Sequence, residues 1–436
     1  MSVSNPVVRP PGGWNRTGAG LLLMAGILCG VWLSQRPPAN SSTGVIAPWA
    51  TASARDAARQ MILTQSIQAN LNLPLTADYD GKWQQFLNAA KWQSMRTPGV
   101  LAAVKRRLAL PPLPATAPKR QVETARLALE TAYALFPTEL EPEMRRIFLT
   151  DPDPKRTAMA GAWLERFQPG GDHQAALAAA LSGRFPDAEA EPRLLALLTE
   201  LRQPRRNIIG SRPALADLLK APFDGKPVVF SFQRVNRSWL GRAMVRHANG
   251  SFLVEADGRP FSVTQFARSA SDLPGTLTNG NTPCGIFEIV KINQARNQAI
   301  GPSEALILGL PLEYDSRWTL ERYMALLPAS WQNWWPAREA WWAGQGGRDE
   351  ILAHGTTIDP RPWLDTSFAG QTPSHGCLTC DESWDPVTGQ RTSSGQAKLT
   401  EAFRNAGGVP GYLVVVEVDD QSGPVSEAEV ASFLEL

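Results

Sequence analysis

The sequence predicts a two-part chain: an α-helical N-terminal domain followed by a mostly-β domain that carries a Trp-rich helical insertion. Three observations lead there. From about residue 52 to residue 220, apolar residues recur at three- and four-residue steps, as in Val122, Ala125, Leu129, Tyr133 and Phe136. Past Ala221–Pro227 the texture changes, and Asn249-Gly250 and Asp257-Gly258 mark tight hairpins whose central residues need positive φ. Between Phe287 and His354, Trp318, Trp331, Trp334, Trp335, Trp341 and Trp342 crowd one stretch.

Composition sets the outer limits. A chain of 436 residues has room for more than one domain, and 43% apolar content is ordinary for globular protein. A net charge of +2 gives no electrostatic case for nucleic acid. Four cysteines are too few for a disulfide scaffold at this length.

Residues 1–16 are polar and read as a cytoplasmic N-terminus. Ala19–Leu33 is an unbroken apolar run, and with its flanks (17–34) it reaches the length that spans a bilayer. Arg9 and Arg16 precede it and Arg36 alone follows closely, which places the N-terminus inside. A cleaved signal is the alternative, but Gln35, Arg36, Pro37 and Pro38 offer no small-residue cleavage site. The expectation is a single-pass anchor in the inner membrane with the bulk of the chain in the periplasm; the alternative is secretion to the periplasm after cleavage.

Residues 35–51 are rich in Pro, Ser and Ala and read as a linker. The helical domain, 52–220, is divided by Pro111–Pro118; Met159, Ala162, Trp163 and Phe167 mark one later helix, and Pro192 opens another bearing Leu194, Leu197, Leu198 and Leu201. It is a spacer or a partner-binding scaffold. The β domain, 225–420, begins with a meander and gains strands at Gly285–Ile292, at Glu350–Ala353 leading into His354, and at Tyr412–Val418. Gln396–Asn405 reads as a helix packed on the sheet, and residues 421–436 as a tail. The insertion, about 300–348, either buries its own apolar face or forms a lid of indole surfaces.

The chemistry concentrates at Ser374-His375-Gly376-Cys377, with His354-Gly355-Thr356 ahead of it. A thiol is a weak nucleophile until a base or a positive environment removes its proton. Cys377 is the candidate nucleophile and His354, at a strand end, the candidate base. His375 lies two residues from the thiol and is read as shaping an oxyanion pocket or raising the thiolate fraction. Backbone N–H groups of Gly376 and Cys377 are the natural oxyanion donors. Ser374, Gly355 and Thr356 support the two loops. Cys377-Leu378-Thr379-Cys380 is also a C-x-x-C, yet it lacks the helix-opening context of a redox motif and a second ligand pair for zinc, so no metal is expected. Cys380 or Cys284 could form a reversible disulfide with Cys377.

These residues, together with Thr282-Pro283-Cys284-Gly285-Ile286-Phe287, resemble the L,D-transpeptidases of bacterial cell-wall synthesis, the YkuD-type catalytic domain. The likeness covers roughly residues 240 to 420, and the order His before Cys agrees with that family rather than with papain-like enzymes. The resemblance implies a mostly-β catalytic fold, no cofactor, and acyl transfer in which Cys377 attacks the carbonyl before the terminal D-Ala of a peptidoglycan tetrapeptide stem. An amine then resolves the thioester, giving a crosslink or an attached protein. Implied partners are peptidoglycan stem peptides, with a wall-attached protein or wall-synthesis partner on the helical domain. Thr379 stands where the family has Arg or Asn, and with Trp363 it is assigned to substrate binding. Hydrolysis of the same peptides and a non-catalytic peptidoglycan-binding scaffold are the alternatives.

Overall fold

The structure is a computed structural model that describes residues 44–294, 297–314 and 318–434. The apolar run at 17–34, and with it the expected anchor, lies outside the described residues. Among the described residues no helix is long and apolar enough to cross a membrane.

The helical region comprises α1 (Ala52–Met61), α2 (Asp80–Trp92), α3 (Pro98–Leu108), α4 (Lys119–Leu135), α5 (Glu141–Thr150), α6 (Pro154–Phe167), α7 (Gly171–Arg184), α8 (Pro192–Arg202), α9 (Arg205–Ile208) and α10 (Leu215–Lys220). Local chemistry sets several of the starts. Thr97, Asp153 and Glu191 each accept a backbone N–H of the first turn, and Pro98, Pro154 and Pro192 occupy the first helical position, where a missing N–H costs nothing. Trp83, Phe86, Phe148 and Trp163 fill the core between these helices, and the Trp163 indole keeps a partner by donating to the Phe136 carbonyl at 3.0 Å.

The C-terminal part is a closed eight-stranded barrel. Its strands are β1 (Val228–Arg234), β2 (Gly241–Arg246), β3 (Val263–Phe266), β4 (Gly285–Gln294), β5 (Glu304–Gly309), β6 (Ile351–His354), β7 (Leu378–Cys380) and β10 (Gly411–Asp419), in the spatial order β1-β10-β4-β5-β6-β7-β3-β2. β8 (Glu382–Trp384) and β9 (Arg391–Ser394) pair separately. Only β1–β10 and β6–β7 run parallel within the barrel. Val229, Val245, Phe287, Leu308, Ala353, Leu378 and Leu413 share one apolar cluster drawn from strands around the barrel, and α13 (Gly395–Asn405) adds Leu399 and Phe403 to it.

Several expectations change here. The hairpin turns at Asn249-Gly250 and Asp257-Gly258 exist, but only the glycines take positive φ (+91° and +84°). The side chains of Asn249 and Asp257 instead accept the N–H two residues on, which holds each turn without a left-handed Asn or Asp. The assigned insertion begins too early, because β5 is a barrel strand within it. Its remainder, α11 (Leu320–Ala325), two short 3₁₀ turns and α12 (Glu339–Gln345), is not a lid of free indoles. All six tryptophans are under 10% exposed, and Trp331 and Trp335 donate to the Ala214 and Gln203 carbonyls of the helical region. The stretch joins the two parts through a shared core containing Leu215, Leu218, Phe230, Phe232, Trp331 and Tyr412. Each buried indole removes some 150–250 Å² from water, a contribution on the order of several kcal/mol.

Both flanking segments are also part of the fold. From Gly44 onward the expected linker is packed: Ile46 bridges Gln390, and Ala47 N–H donates to Gly389 O at 2.8 Å. In the expected tail, buried Val425 and, from α14 (Glu427–Ser432), Val430 join the core cluster that contains barrel residues. Arg234 ties it down by pairing with Glu429 at 2.6 Å.

Candidate active site

The β6–β7 pairing brings the two motifs together. In this parallel ladder Ala353 lies opposite Leu378 and His354 opposite Thr379. Ile351, Ala353, Leu378 and Cys380 belong to the barrel's inner cluster. Alternation therefore puts Leu352, His354, Cys377 and Thr379 on the other face. Cys377 immediately precedes β7, two residues before the Thr379 that lies opposite His354.

His354 is 4% exposed, and its Nδ1 is engaged with the Gly355 carbonyl. That contact selects the tautomer with hydrogen on Nδ1 and leaves Nε2 as a proton acceptor. Burial pushes the imidazole down to about 4, so it is neutral near pH 7. Cys377 is 9% exposed, and its Sγ lies 3.6 Å from the Glu350 carbonyl, to which the thiol donates. Burial raises this thiol to about 11, against the lowering pull of the Leu352 backbone and the Arg348 guanidinium. Glu350 holds a left-handed backbone, φ +57°, which is unfavourable for a side-chain-bearing residue. At rest the thiol and the imidazole are both neutral.

The other expected residues divide. Ser374 shapes the loop by accepting the Gly376 N–H at 2.9 Å and donating to the Cys377 carbonyl at 2.7 Å. The Gly376 N–H expected to hold an oxyanion is therefore already engaged. Gly376 itself is required, because φ is +113° and a Cβ would collide with the Arg348 guanidinium and the Gly280 carbonyl. Gly355 is required as well, since a Cβ there would run into the Glu382 carboxylate. Thr356 donates its N–H to Glu382 at 3.0 Å, and its hydroxyl meets that of Thr372 at 2.9 Å.

Three assignments are corrected. His375 does not join the thiol: its ring stands edge-on to Trp92 of α2 at 5.0 Å, and burial first, then the Lys91 charge, lowers it to about 3. Thr379 does not face a substrate, because it is 2% exposed and its hydroxyl donates to the Thr372 carbonyl at 3.2 Å. Trp363 is 4% exposed with its ring against Trp92 at 5.8 Å, so its indole is a packing surface. The disulfide expectation also meets an obstacle. Cys377, Cys380 and Cys284 are all free; an offset of three places the Cys380 side chain on the opposite strand face, and Cys284 Sγ is engaged with Arg237 at 3.1 Å. Among the described residues no group of His, Cys, Asp or Glu is placed to hold a metal ion.

Two residues that the motifs did not indicate hold the site. Arg348, 7% exposed, donates to the carbonyls of Gly275, Asn281 and Gly280, and lies 3.5 Å from that of Gly376. It is the cation behind the Ser374–Cys377 loop. Glu382, its side chain fully buried, secures the His354-Gly355-Thr356 turn and also accepts from Ser303 and Ser394. Neither carries a local sequence signal, because each acts on carbonyls or amides that lie far away along the chain.

Compared with protein-family models, curated proteins and solved structures, the chain matches none.

Proposed function

We propose that the chain is a cysteine acyltransferase of the L,D-transpeptidase kind, acting on peptidoglycan stem peptides in the periplasm and anchored through residues 17–34. The observation that carries the reading is the parallel β6–β7 pairing, which sets His354 opposite Thr379, two residues beyond Cys377, with His354 Nδ1 engaged and Nε2 left as the base. On this reading Nε2 takes the thiol proton, and sulfur attacks the carbonyl between the stem's third, diamino residue and its terminal D-Ala. The C–N bond breaks, D-Ala leaves with the proton returned by His354, and an amine or water resolves the thioester. Because Cys377 is only 9% exposed and its thiol is bound to the Glu350 carbonyl, turnover includes a movement that frees the sulfur. The strained backbone of Glu350 makes that segment the natural place for it.

A second reading, a peptidoglycan-binding scaffold without turnover, draws support from the same closed state: a thiol raised to about 11 and no hydrogen bond between thiol and imidazole. Intact-mass analysis of the full chain separates the two. A carbapenem and then a disaccharide-tetrapeptide are offered beside Cys377→Ala. The acyl-transfer reading expects an adduct on Cys377 and release of D-Ala, both absent in the variant. Folded, reduced protein that forms no adduct and releases nothing would leave the scaffold reading.

A further inference from the structure

The β8–β9 ribbon pairs outside the barrel, and β8 grips one residue of the imidazole turn at both ends. Glu382 Oε2 accepts the Thr356 N–H at 3.0 Å, and the Trp384 indole donates to the Thr356 carbonyl at 2.9 Å. The Thr356 N–H and the Gly355 carbonyl belong to a single planar peptide unit. That carbonyl is the group engaged by His354 Nδ1. A continuous line therefore runs from carboxylate to peptide to imidazole.

The chemistry of the line fixes its direction. A carbonyl only accepts, so Nδ1 carries the hydrogen; a peptide N–H only donates, so the carboxylate accepts. Hydrogen bonds in series polarise one another, and a carboxylate at the far end makes the Gly355 oxygen a stronger acceptor. Glycine is what admits the carboxylate, since a Cβ on Gly355 would collide with it.

A turn alone does not call for such a group. The Glu382 side chain is fully buried, and the Arg391 guanidinium stands 3.8 Å away. Burying a carboxylate is costly unless hydrogen bonds offset it, whereas a neutral amide would satisfy a turn N–H without that cost. Here hydroxyls supply the offset. Ser394 donates to Oε1 at 2.6 Å, Ser303 donates to the same oxygen, and Arg391 in turn donates to Ser303 at 2.6 Å. Burial pushes the carboxyl above its ordinary range, and these donors pull against that.

We infer that Glu382 is a positioning residue: through the Gly355–Thr356 peptide unit it holds the His354 imidazole in one orientation and in the tautomer with hydrogen on Nδ1, which leaves Nε2 to take a proton. No proton crosses the peptide. When Nε2 gains the thiol proton, the imidazolium charge is met one peptide away by the Glu382 carboxylate. The use of this arrangement in turnover rests on the acyl-transfer reading; the tautomer and its dependence on Glu382 do not.

The test uses the full-length chain carrying heavy-nitrogen histidine. Proton–nitrogen correlation of the imidazoles reads the tautomers, and His354→Gln identifies the signal to follow among four histidines. At neutral pH His354 is expected as the Nδ1–H tautomer with a slowly exchanging proton. Glu382→Gln keeps the shape and loses the charge. It is expected to speed exchange of that proton about tenfold, and to lower kcat for D-Ala release from a disaccharide-tetrapeptide about tenfold with KM unchanged. Glu382→Met, which removes the acceptor, is expected to populate the other tautomer and to lower kcat about 100-fold. Both are compared at unchanged circular dichroism, and if the Met variant does not fold, the Gln variant and the wild-type tautomer decide. Wild-type His354 with its hydrogen on Nε2 would overturn the inference. So would folded Glu382→Gln with the wild-type exchange rate or, in a chain that turns over, the wild-type kcat. A wild-type chain that releases no D-Ala would fail the acyl-transfer reading alone, and the tautomer and exchange rate would still decide the role of Glu382.

Discussion

Two buried charge clusters join the helical region to the barrel, and they differ in one respect. In the first, Glu130 of α4 receives Lys91 and Arg126, and its Oε2 also accepts from Asn279 of the barrel at 3.1 Å. Arg126 is held in addition by Glu123 at 2.7 Å. Burial alone would raise the Glu130 carboxyl, but Lys91 and Arg126 outweigh it and hold it at about 2. In the second cluster Glu417 receives Arg205 and Arg237, yet its Oε2 has no hydrogen-bond partner among the described residues. Each centres on a buried glutamate that holds two cations. The first cluster is a closed latch beside His375; the second leaves one carboxylate oxygen without a partner among the described residues.

Mutation can break or sharpen that contrast. The largest effect belongs to the latch: Glu130→Ala strands two buried cations and should cost about 3–5 kcal/mol in urea denaturation. A loss below 1 kcal/mol there would show that the cluster is not closed in solution. Arg348→Met, which deprives the Gly275, Gly280 and Asn281 carbonyls of their donor, should cost about 3 kcal/mol by the same measurement. Next comes the thiol. With Cys377 raised to about 11, iodoacetamide should label it roughly 100-fold more slowly than an ordinary cysteine at pH 7.5, with the rate climbing as pH rises. Labelling as fast as that of a free thiol, followed by intact mass, would contradict the closed site.

Acid gives a smaller loss. His354 is held at about 4 when folded, against 6.5 when unfolded, so the unfolded chain binds more protons between those values. Stability is therefore complete above pH 6.5 and falls on acidification, by about 2 kcal/mol from His354 at pH 5. His354→Gln should flatten that part of the profile, and His375 acts in the same direction. The smallest change is expected for Glu417→Gln, about 1 kcal/mol, because Arg205 keeps Glu339 at 3.1 Å and Arg237 keeps the Arg234 carbonyl at 2.7 Å. Equal losses from the Glu130 and Glu417 variants would erase the distinction between the two clusters.

What could be read from the sequence was local. Helical periodicity around Val122–Phe136, the apolar run ending at Val418 and the strand leading into His354 all depend on neighbours a few residues away, and helices or strands lie there. The strand end at His354 and the Gly-Cys turn were legible for the same reason, whereas the β6–β7 pairing that joins them was not. Contacts between distant segments leave no such trace. His375 sits two residues from Cys377 along the chain, but Trp92, nearly 300 residues earlier, decides where its ring packs. The tryptophans between Trp318 and Trp342 announce burial without saying against what, and their partners are Ala214, Gln203 and Arg205. Strand β5 lies inside the stretch assigned to the Trp-rich insertion, although its Ala305, Leu306 and Leu308 are fully buried.

The segment that enters the fold after residue 43 has a mechanical consequence. Trp49 donates to Thr357 Oγ1 at 3.0 Å, Arg55 to the Thr357 carbonyl at 2.9 Å, and Ala52 N–H to the Pro386 carbonyl at 2.8 Å. Thr357 follows directly on His354-Gly355-Thr356. A pull applied at Gly44 is thus borne by the Gly389–Arg391 turn and, next along the chain, by the loop that carries the imidazole.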